Sequence, residues 1–396
     1  MITRFVGMDI HKQYAVIVGV NREQEVVLRS ERVSMGDLER WCGRHLGKQD
    51  GVVIKVTTNT WAVVEMLERY AGQVVVANPY KTKLIAEAQI KNDKVDARAL
   101  ACLLAANFIS EVWIPSPQVR QWRQLARHRG RLRKQCTQAK NQLHQLLQTH
   151  NLQSPERDLF SAAGRDWLTH QKLPQVEQLI LRQLLARVEF SEKQIQECER
   201  QIARLAQDDP RIARLMQITG VGLYTAFSIV AVLGDVRRFP SANKLAGYVG
   251  LVPREHQSGR RAYHGHITKS GDRLLRWLMI EAAQAAVRWD AHWRQVHQRI
   301  AQRRGYSIAI VAIARKLLVT IWHMLTEKSN YQYLRQVSYV RKLQEWAYRI
   351  GRQQLSAPSS RAFVADRLRE LELPLLADAL VTTGRNARLS LAAPVT

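Results

Sequence analysis

Residues 4–20 read RFVGMDIHKQYAVIVGV, and the fold of the first hundred residues turns on them. Two apolar, β-branched runs, residues 4–8 and 15–20, are separated by the polar Asp9–Gln13 segment and predict two adjacent strands. Asp9 ends the first run. A carboxylate flanked by apolar strand residues projects from a strand tip, where a cation can meet it; by itself it is equally a turn former. Outward from this pair, residues 26–33 predict a third strand after the turn signals of residues 19–24. Residues 52–56 form a fourth apolar run, and residues 61–70 carry helical spacing. Residues 74–77 predict a fifth strand, ended by Asn78-Pro79. Residues 81–107 read as helix in one or two pieces.

Three meandering strands followed by strand, helix, strand and helix is the order of a ribonuclease H-like domain. Actin-like ATPases share that opening, but no glycine-rich phosphate loop follows the fourth or fifth strand. In the last helix, KNDKVDAR sets Asp93 and Asp96 three apart, on one helix face. Two like charges this close favour a cation between them, and hard oxygen donors suit Mg²⁺ at a phosphodiester. Solvated carboxylates screened by Lys91, Lys94 and Arg98 are the alternative.

Beyond residue 115 the pattern changes to long helices with few breakers, a helical hairpin or coiled-coil arm over residues 116–208. No Asp or Glu occurs between Val112 and Pro155, while Arg123, Arg127, Arg131, Arg133 and Lys134 accumulate there. A one-sign run without balancing acid predicts a phosphate-facing surface. The formal net charge of +26 points the same way, to a polyanionic partner held by counterion release. The four cysteines lack metal-knuckle or disulfide spacing, which fits a reducing cytoplasm, and the N-terminus has no signal-peptide pattern. The apolar residues 307–325 are broken by Arg315 and Lys316 and predict a buried helix, not a membrane span. Two short helices about Gly220-Val221-Gly222 suggest a helix–hairpin–helix turn whose N–H groups approach phosphate. Trp61, Trp277, Trp289, Trp293 and Trp322, at helical spacing, are expected in the core. The tail after residue 334 is expected to be helical, basic and partly ordered.

GMDIHK, VTTNTW, VVVANPYKTK and KNDKVDARAL, followed by GVGLYTAFSIVAVLGDVRRF, KLAGYVGLVP and HITKSGDRLLRWL, resemble the transposases of the insertion sequence 110 family and the related Piv/MooV DNA invertases. The resemblance implies an α/β plus α protein in four parts. Residues 1–115 would be a RuvC-like ribonuclease H-fold domain and 116–208 a coiled-coil arm. Residues 209–334 would be a mostly helical transposase domain, and 335–396 a basic helical extension. It further implies a bacterial, nucleoid-associated recombinase acting on donor and target DNA, guided by a bridge-type noncoding RNA, and assembled as a homodimer or homotetramer. No membrane partner is expected.

The family's acidic tetrad implies Asp9, a glutamate at the end of the fourth strand, Asp93 and Asp96 as Mg²⁺ ligands. Lys55 stands at the second position. A cation about 4 Å from a divalent ion would repel it by about 8 kcal/mol at an effective dielectric of about 20. The lysine must therefore point away, be deprotonated, give way to Glu65, or hold phosphate itself; otherwise the site is damaged and the chain is a non-cutting nucleic-acid binder. A nuclease that activates water at the metal, without a covalent link, is a further alternative. The resemblance places the nucleophile at Ser258, before Gly259; among its neighbours His256 is the candidate proton acceptor, and Arg254, Arg260, Arg261, Lys269 and Arg273 are candidate phosphate contacts. Thr268 and Ser270 read as caps of the following helix.

Overall fold

The structure, a computed structural model, describes residues 1–85, 92–258 and 261–382, with the side chains of 83–85, 255–258, 261–264 and 379–382 outside that description. It divides into two compact units, Met1–Pro115 and Ser116–Thr396.

The first unit is a mixed α/β layer structure. Its strands are β1 (Arg4–Ile10), β2 (Tyr14–Val20), β3 (Val26–Ser34), β4 (Asp50–Lys55) and β5 (Gln73–Ala77), in sheet order β3-β2-β1-β4-β5. The helices are α1 (Leu38–His45), α2 (Thr60–Tyr70), α3 (Pro79–Ile85) and α4 (Asp93–Ala105). β1 is central, antiparallel to β2 and parallel to β4. Because both sheet faces are covered near β1, that strand is buried from Phe5 through Ile10. One face packs on α1 and α2 through Leu38, Trp41, Val63 and Leu67, the other on α4 through Leu100, Ala101 and Leu104. The five strands fall on the five apolar runs. Helix α1, between β3 and β4, has no clear sequence signal, since Leu38, Trp41 and Cys42 supply its only buried positions among charged neighbours.

Gly7 sets where α4 lies. A Cβ there would sit 2.0 Å from the Ala97 carbonyl oxygen and 2.7 Å from the Ala101 nitrogen. Only glycine lets the helix backbone rest on β1 at this point.

The second unit is helical. α5 (Pro117–Thr149) and α7 (Gln175–Ala206) run antiparallel, with α6 (Ala162–Thr169) between them in sequence. The direction is set by Arg129 on Glu199 at 2.5 Å and Lys140 on Glu192 at 2.7 Å, over a seam that includes Leu132, Leu143, Leu185 and Val188. Then follow α8 (Pro210–Met216), α9 (Leu223–Leu233) and α10 (Ala242–Val249), the hairpin β6 (Pro253–Ser258) and β7 (Arg261–Ile267), and α11 (Arg273–Trp289), α12 (Ala291–Arg304) and α13 (Tyr306–Thr326). α14 (Gln336–Ile350), α15 (Ser360–Glu370) and α16 (Pro374–Thr382) complete it. The β6–β7 hairpin interrupts a stretch expected to be mostly helical. Its polar sequence, PREHQS and RAYHGHI, lacks the apolar alternation that marks a half-buried strand.

Among the described residues α13 alone is long and apolar enough to cross a membrane. Its Ile310, Ile313, Leu317, Leu318 and Ile321 lie in the core of this unit. Helices α14 and α15, in the expected helical extension, pack on this core. Tyr339, Trp346 and Phe363 are fully buried in the same core, and Trp346 Nε1 donates to the Ala203 carbonyl at 2.9 Å. Beneath α14, Lys342 Nζ donates to the carbonyls of Met216, Ile218 and Val221 at 2.8–2.9 Å. That contact occupies the turn between α8 and α9. Gly220, at φ +88°, lies against the Ala282 carbonyl of α11, so this side of the proposed phosphate-binding turn faces protein.

Candidate active site and basic surface

Parallel pairing of β1 with β4 aligns Met8 with Ile54, so the next residues, Asp9 and Lys55, emerge side by side at the strand tips. α4 begins directly over them. Asn92 caps it, accepting from Val95 N at 2.8 Å, which puts Asp93 and Asp96 in the first turn where the helix dipole favours negative charge. Strand tips and helix start thus bring together Asp9, Asp93, Asp96 and Lys55, drawn from three separate stretches of sequence.

Lys55 does not point away. Its Nζ donates to Asp96 Oδ2 at 2.7 Å and lies 3.9 Å from Asp9 Oδ1. Glu65, the alternative acid, is exposed on α2. The other half of the cluster contains a residue that sequence reasoning misses. His11 Nε2 lies 3.2 Å from Asp9 Oδ2 and 3.3 Å from Asp93 Oδ2. That nitrogen is buried yet makes no hydrogen bond of acceptable geometry. Tyr14 stacks on the His11 ring at 4.6 Å and donates its hydroxyl to Asp93 Oδ2 at 3.0 Å. The Arg32 guanidinium lies over the Tyr14 ring at 3.6 Å. Only the two-residue offset from Asp9 in GMDIH could point to His11.

Asp9 is 8% exposed. Burial raises its pKa above the usual carboxylate value, opposed by the positive charge of Lys55 and by His11. The Tyr14 hydroxyl is shifted up by its hydrogen bond to Asp93.

The donor chemistry fits a divalent cation on one side of the cluster. One oxygen each of Asp9 and Asp93 and a nitrogen of His11 lie within 4.8 Å of one another, and the histidine nitrogen is otherwise unsatisfied. Asp96, by contrast, is held by Lys55. Two carboxylates and an imidazole suit Mn²⁺ as well as Mg²⁺, because imidazole is a softer ligand than oxygen.

In the second unit the acid-free run splits by helix face. Arg129 and Lys140 point to α7 and are neutralised by Glu199 and Glu192. Arg123 is half-buried and donates to the Ala231 and Val232 carbonyls at 2.8 and 2.7 Å, closing the end of α9. Arg127 is exposed and pairs with Asp272 at 2.8 Å. Arg131, Arg133 and Lys134 are exposed, as are Arg254, Lys269 and Arg273. Ser258 ends β6 opposite Arg261; the side chains of Ser258, His256 and Arg261 and all of Arg260 lie outside the described residues. Asp272, not Ser270 or Thr268, caps α11, accepting from Leu275 N at 2.9 Å. Thr268 and Ser270 hydrogen-bond each other at 3.0 Å. The tryptophans divide as well. Trp293 is buried, but Trp277 is 43% and Trp289 59% exposed, so those two are not core residues: the helical stripe they share with buried positions extends past the edge of the core.

Two family profiles match the chain. One, described as a DEDD-type IS110 transposase, covers residues 6–152, and the other, described as transposase IS116/IS110/IS902 family, covers residues 212–298. A probable family 20 transposase of Pseudomonas aeruginosa is 29% identical over 83% of this chain and 98% of its own length. The transposase for insertion sequence element IS1111A of Coxiella burnetii is 31% identical over 61% of this chain and 68% of its own length. A pilin gene-inverting protein of Moraxella lacunata is 32% identical over 30% of this chain and 37% of its own length. With its acidic cluster on an α/β sheet and its helical second unit, the chain belongs to the IS110/IS116/IS902 family of transposases.

Proposed function

We propose that this transposase breaks and rejoins DNA strands of an insertion sequence, using the Asp9, Asp93 and Asp96 cluster at a scissile phosphodiester and Ser258 as the nucleophile. The observation that carries the reading is the convergence of Asp9, His11 and Asp93 donor atoms at the strand tips of a ribonuclease H-like sheet. A divalent cation such as Mg²⁺, when bound by Asp9, Asp93 and His11, would neutralise phosphate charge and polarise the phosphorus–oxygen bonds. Lys55 orients Asp96 and presents a fixed positive charge on the far side, where a carboxylate tetrad would hold further cation charge. On this reading Lys55 contacts a phosphate oxygen directly and the site works with one cation.

Ser258 Oγ attacks phosphorus, its proton passing to a base, with His256 the candidate in the same strand. The leaving deoxyribose hydroxyl departs and a serine–phosphate ester remains, so the phosphodiester energy is kept for rejoining. Arg254 and Arg261 of the same hairpin, with Arg260, Lys269 and Arg273, hold the phosphate. The large positive charge suits both donor and target DNA and a bridge-type RNA guide, with the α5–α7 pair as a coiled-coil arm in a dimer or tetramer.

Trapping tests the covalent step. Denaturing gels of the protein with end-labelled DNA carrying its element ends should show a protein–DNA adduct with the parent and none with Ser258→Ala. Strand cleavage without any adduct would assign the attack to water instead.

A further inference from the structure

The faces of α5 and α11 enclose an open cleft of about 930 Å³, a size that takes a small ligand. Its α5 wall carries Arg131, Arg133 and Lys134; its α11 wall carries Arg273 and, one turn on, Trp277. Among the described residues no ion pair neutralises these four cations. The one acid among the described lining residues, Asp272, is engaged by Arg127 and by the α11 N-terminus. The cleft is therefore strongly positive.

One of its walls is tightly packed at its start. Gly271, at φ +81°, would bring a Cβ to 1.8 Å from the Tyr248 carbonyl, and a Cβ on Gly250 would come to 2.2 Å from that of Ser270. Arg276 ties the same loop down, donating to the Val249 and Ser270 carbonyls at 3.0 Å. The loop that launches α11 thus packs backbone to backbone on the end of α10, which places the start of α11, with Arg273 and Trp277, along this wall. An indole exposed to 43% is a flat, wet, apolar surface among cations. An acidic peptide would satisfy the cations and leave the indole uncovered. A double helix would satisfy them too, but its bases are stacked inside. An unpaired nucleotide satisfies both, since its base has a π-face and its neighbours carry phosphates.

We infer that this cleft seats an unpaired nucleotide, its base stacked on Trp277 and its flanking phosphates on Arg131, Arg133, Lys134 and Arg273. The inference rests on the nucleic-acid-acting reading above, and deepens it by naming a single-stranded feature as the ligand.

The test uses the full chain with a single strand of about 20 nucleotides containing 2-aminopurine, made as DNA and as RNA, and with the matching blunt duplex; stacking on an aromatic side chain should quench the 2-aminopurine. Trp277→Leu should abolish the quench and weaken single-strand binding about 5- to 100-fold, while Trp277→Phe keeps most of both. Duplex affinity should be unchanged in Trp277→Leu. Arg133→Ala and Lys134→Ala should instead flatten the salt dependence, by up to about 0.7 in log–log slope for each phosphate no longer neutralised. Comparing the DNA and RNA strands identifies which one supplies the nucleotide. The inference is overturned if Trp277→Leu binds and quenches like the parent, if duplex and single strand weaken equally, or if polyglutamate displaces the single strand at equal charge concentration. If one of those results overturns the inference while duplex binding survives in every variant, the transposase reading still stands.

Discussion

Exchanging Lys55 for glutamate tests the electrostatics of the cluster most sharply. The lysine sits 2.7 Å from Asp96 and 3.9 Å from Asp9, with about a quarter of its side chain exposed. Those two attractions sum to about 10 kcal/mol at an effective dielectric of about 20 and about 2.6 kcal/mol at that of water. Desolvation of the three groups cancels part of this, so the lower end applies. Lys55→Glu removes the attractions and adds a like charge beside Asp9, Asp93 and Asp96. In EDTA we expect a loss of about 3 kcal/mol and, at about 3 °C per kcal/mol, a melting temperature lower by about 10 °C. The new carboxylate is also a cation ligand. Mg²⁺ or Mn²⁺ at about a thousand times its Kd adds about 4 kcal/mol and should restore the parent's melting temperature. The assay is thermal unfolding of both proteins across a cation titration. The parent should respond less than the variant, because Lys55 already balances part of the charge. A variant as stable as the parent in EDTA would refute the pairing of Lys55, and one indifferent to either cation would refute the cation site.

Three other perturbations follow from the same geometry. Asp9→Asn should abolish strand exchange yet raise stability at neutral pH: burial lifts the Asp9 pKa, so the ionised form costs stability, a cost absent below the unfolded value and incurred as pH rises through the folded one. Melting curves recorded from below the ordinary carboxylate range upward check this, with the variant's gain over the parent growing as pH rises. Gly7→Ala should cost about 3 kcal/mol, the upper range for overpacking, because its Cβ meets the Ala97 carbonyl and pushes α4 with Asp93 and Asp96 off the sheet; urea unfolding measures it. Lys342→Met should destabilise by about 1–3 kcal/mol near neutral pH, leaving three carbonyls without their donor. Burial lowers the Lys342 pKa to about 8, so the parent's stability should gain from this group as pH rises from about 8 towards the unfolded lysine value, about 10.4, and the variant should lack that slope.

The five strands and α4 are legible in the sequence because each is an apolar run whose period matches its buried face. Asp9, Asp93 and Asp96 are legible as chemistry for a similar reason: a strand-end carboxylate and an i, i+3 acid pair are local patterns. What joins them is not local. The approach of α4 depends on Gly7 meeting Ala97, and nothing in GMD announces that contact. His11 is hidden because a lone histidine after a strand has many ordinary uses; only the fold brings its nitrogen within 3.3 Å of both Asp9 and Asp93. The basic run on α5 looks uniform in sequence, yet α7 neutralises one face of it through Glu192 and Glu199, residues far along the chain. Trp277 does not follow the core expectation because helical spacing tells which residues share a face but not where the core ends. The β6–β7 hairpin is hidden by its polar composition.

The most direct measurement of the central claim is strand exchange by the unaltered protein on DNA carrying both ends of its insertion sequence, with the element's own transcripts and a divalent cation present. Sequencing across the joint should find recombined junctions with the parent and none with Asp93→Asn, which removes one proposed cation ligand while leaving the basic surface of α5 intact. Retained, salt-sensitive DNA binding by the parent with no junctions under any cation would contradict the account and make Lys55 the mark of a site that binds but no longer cuts.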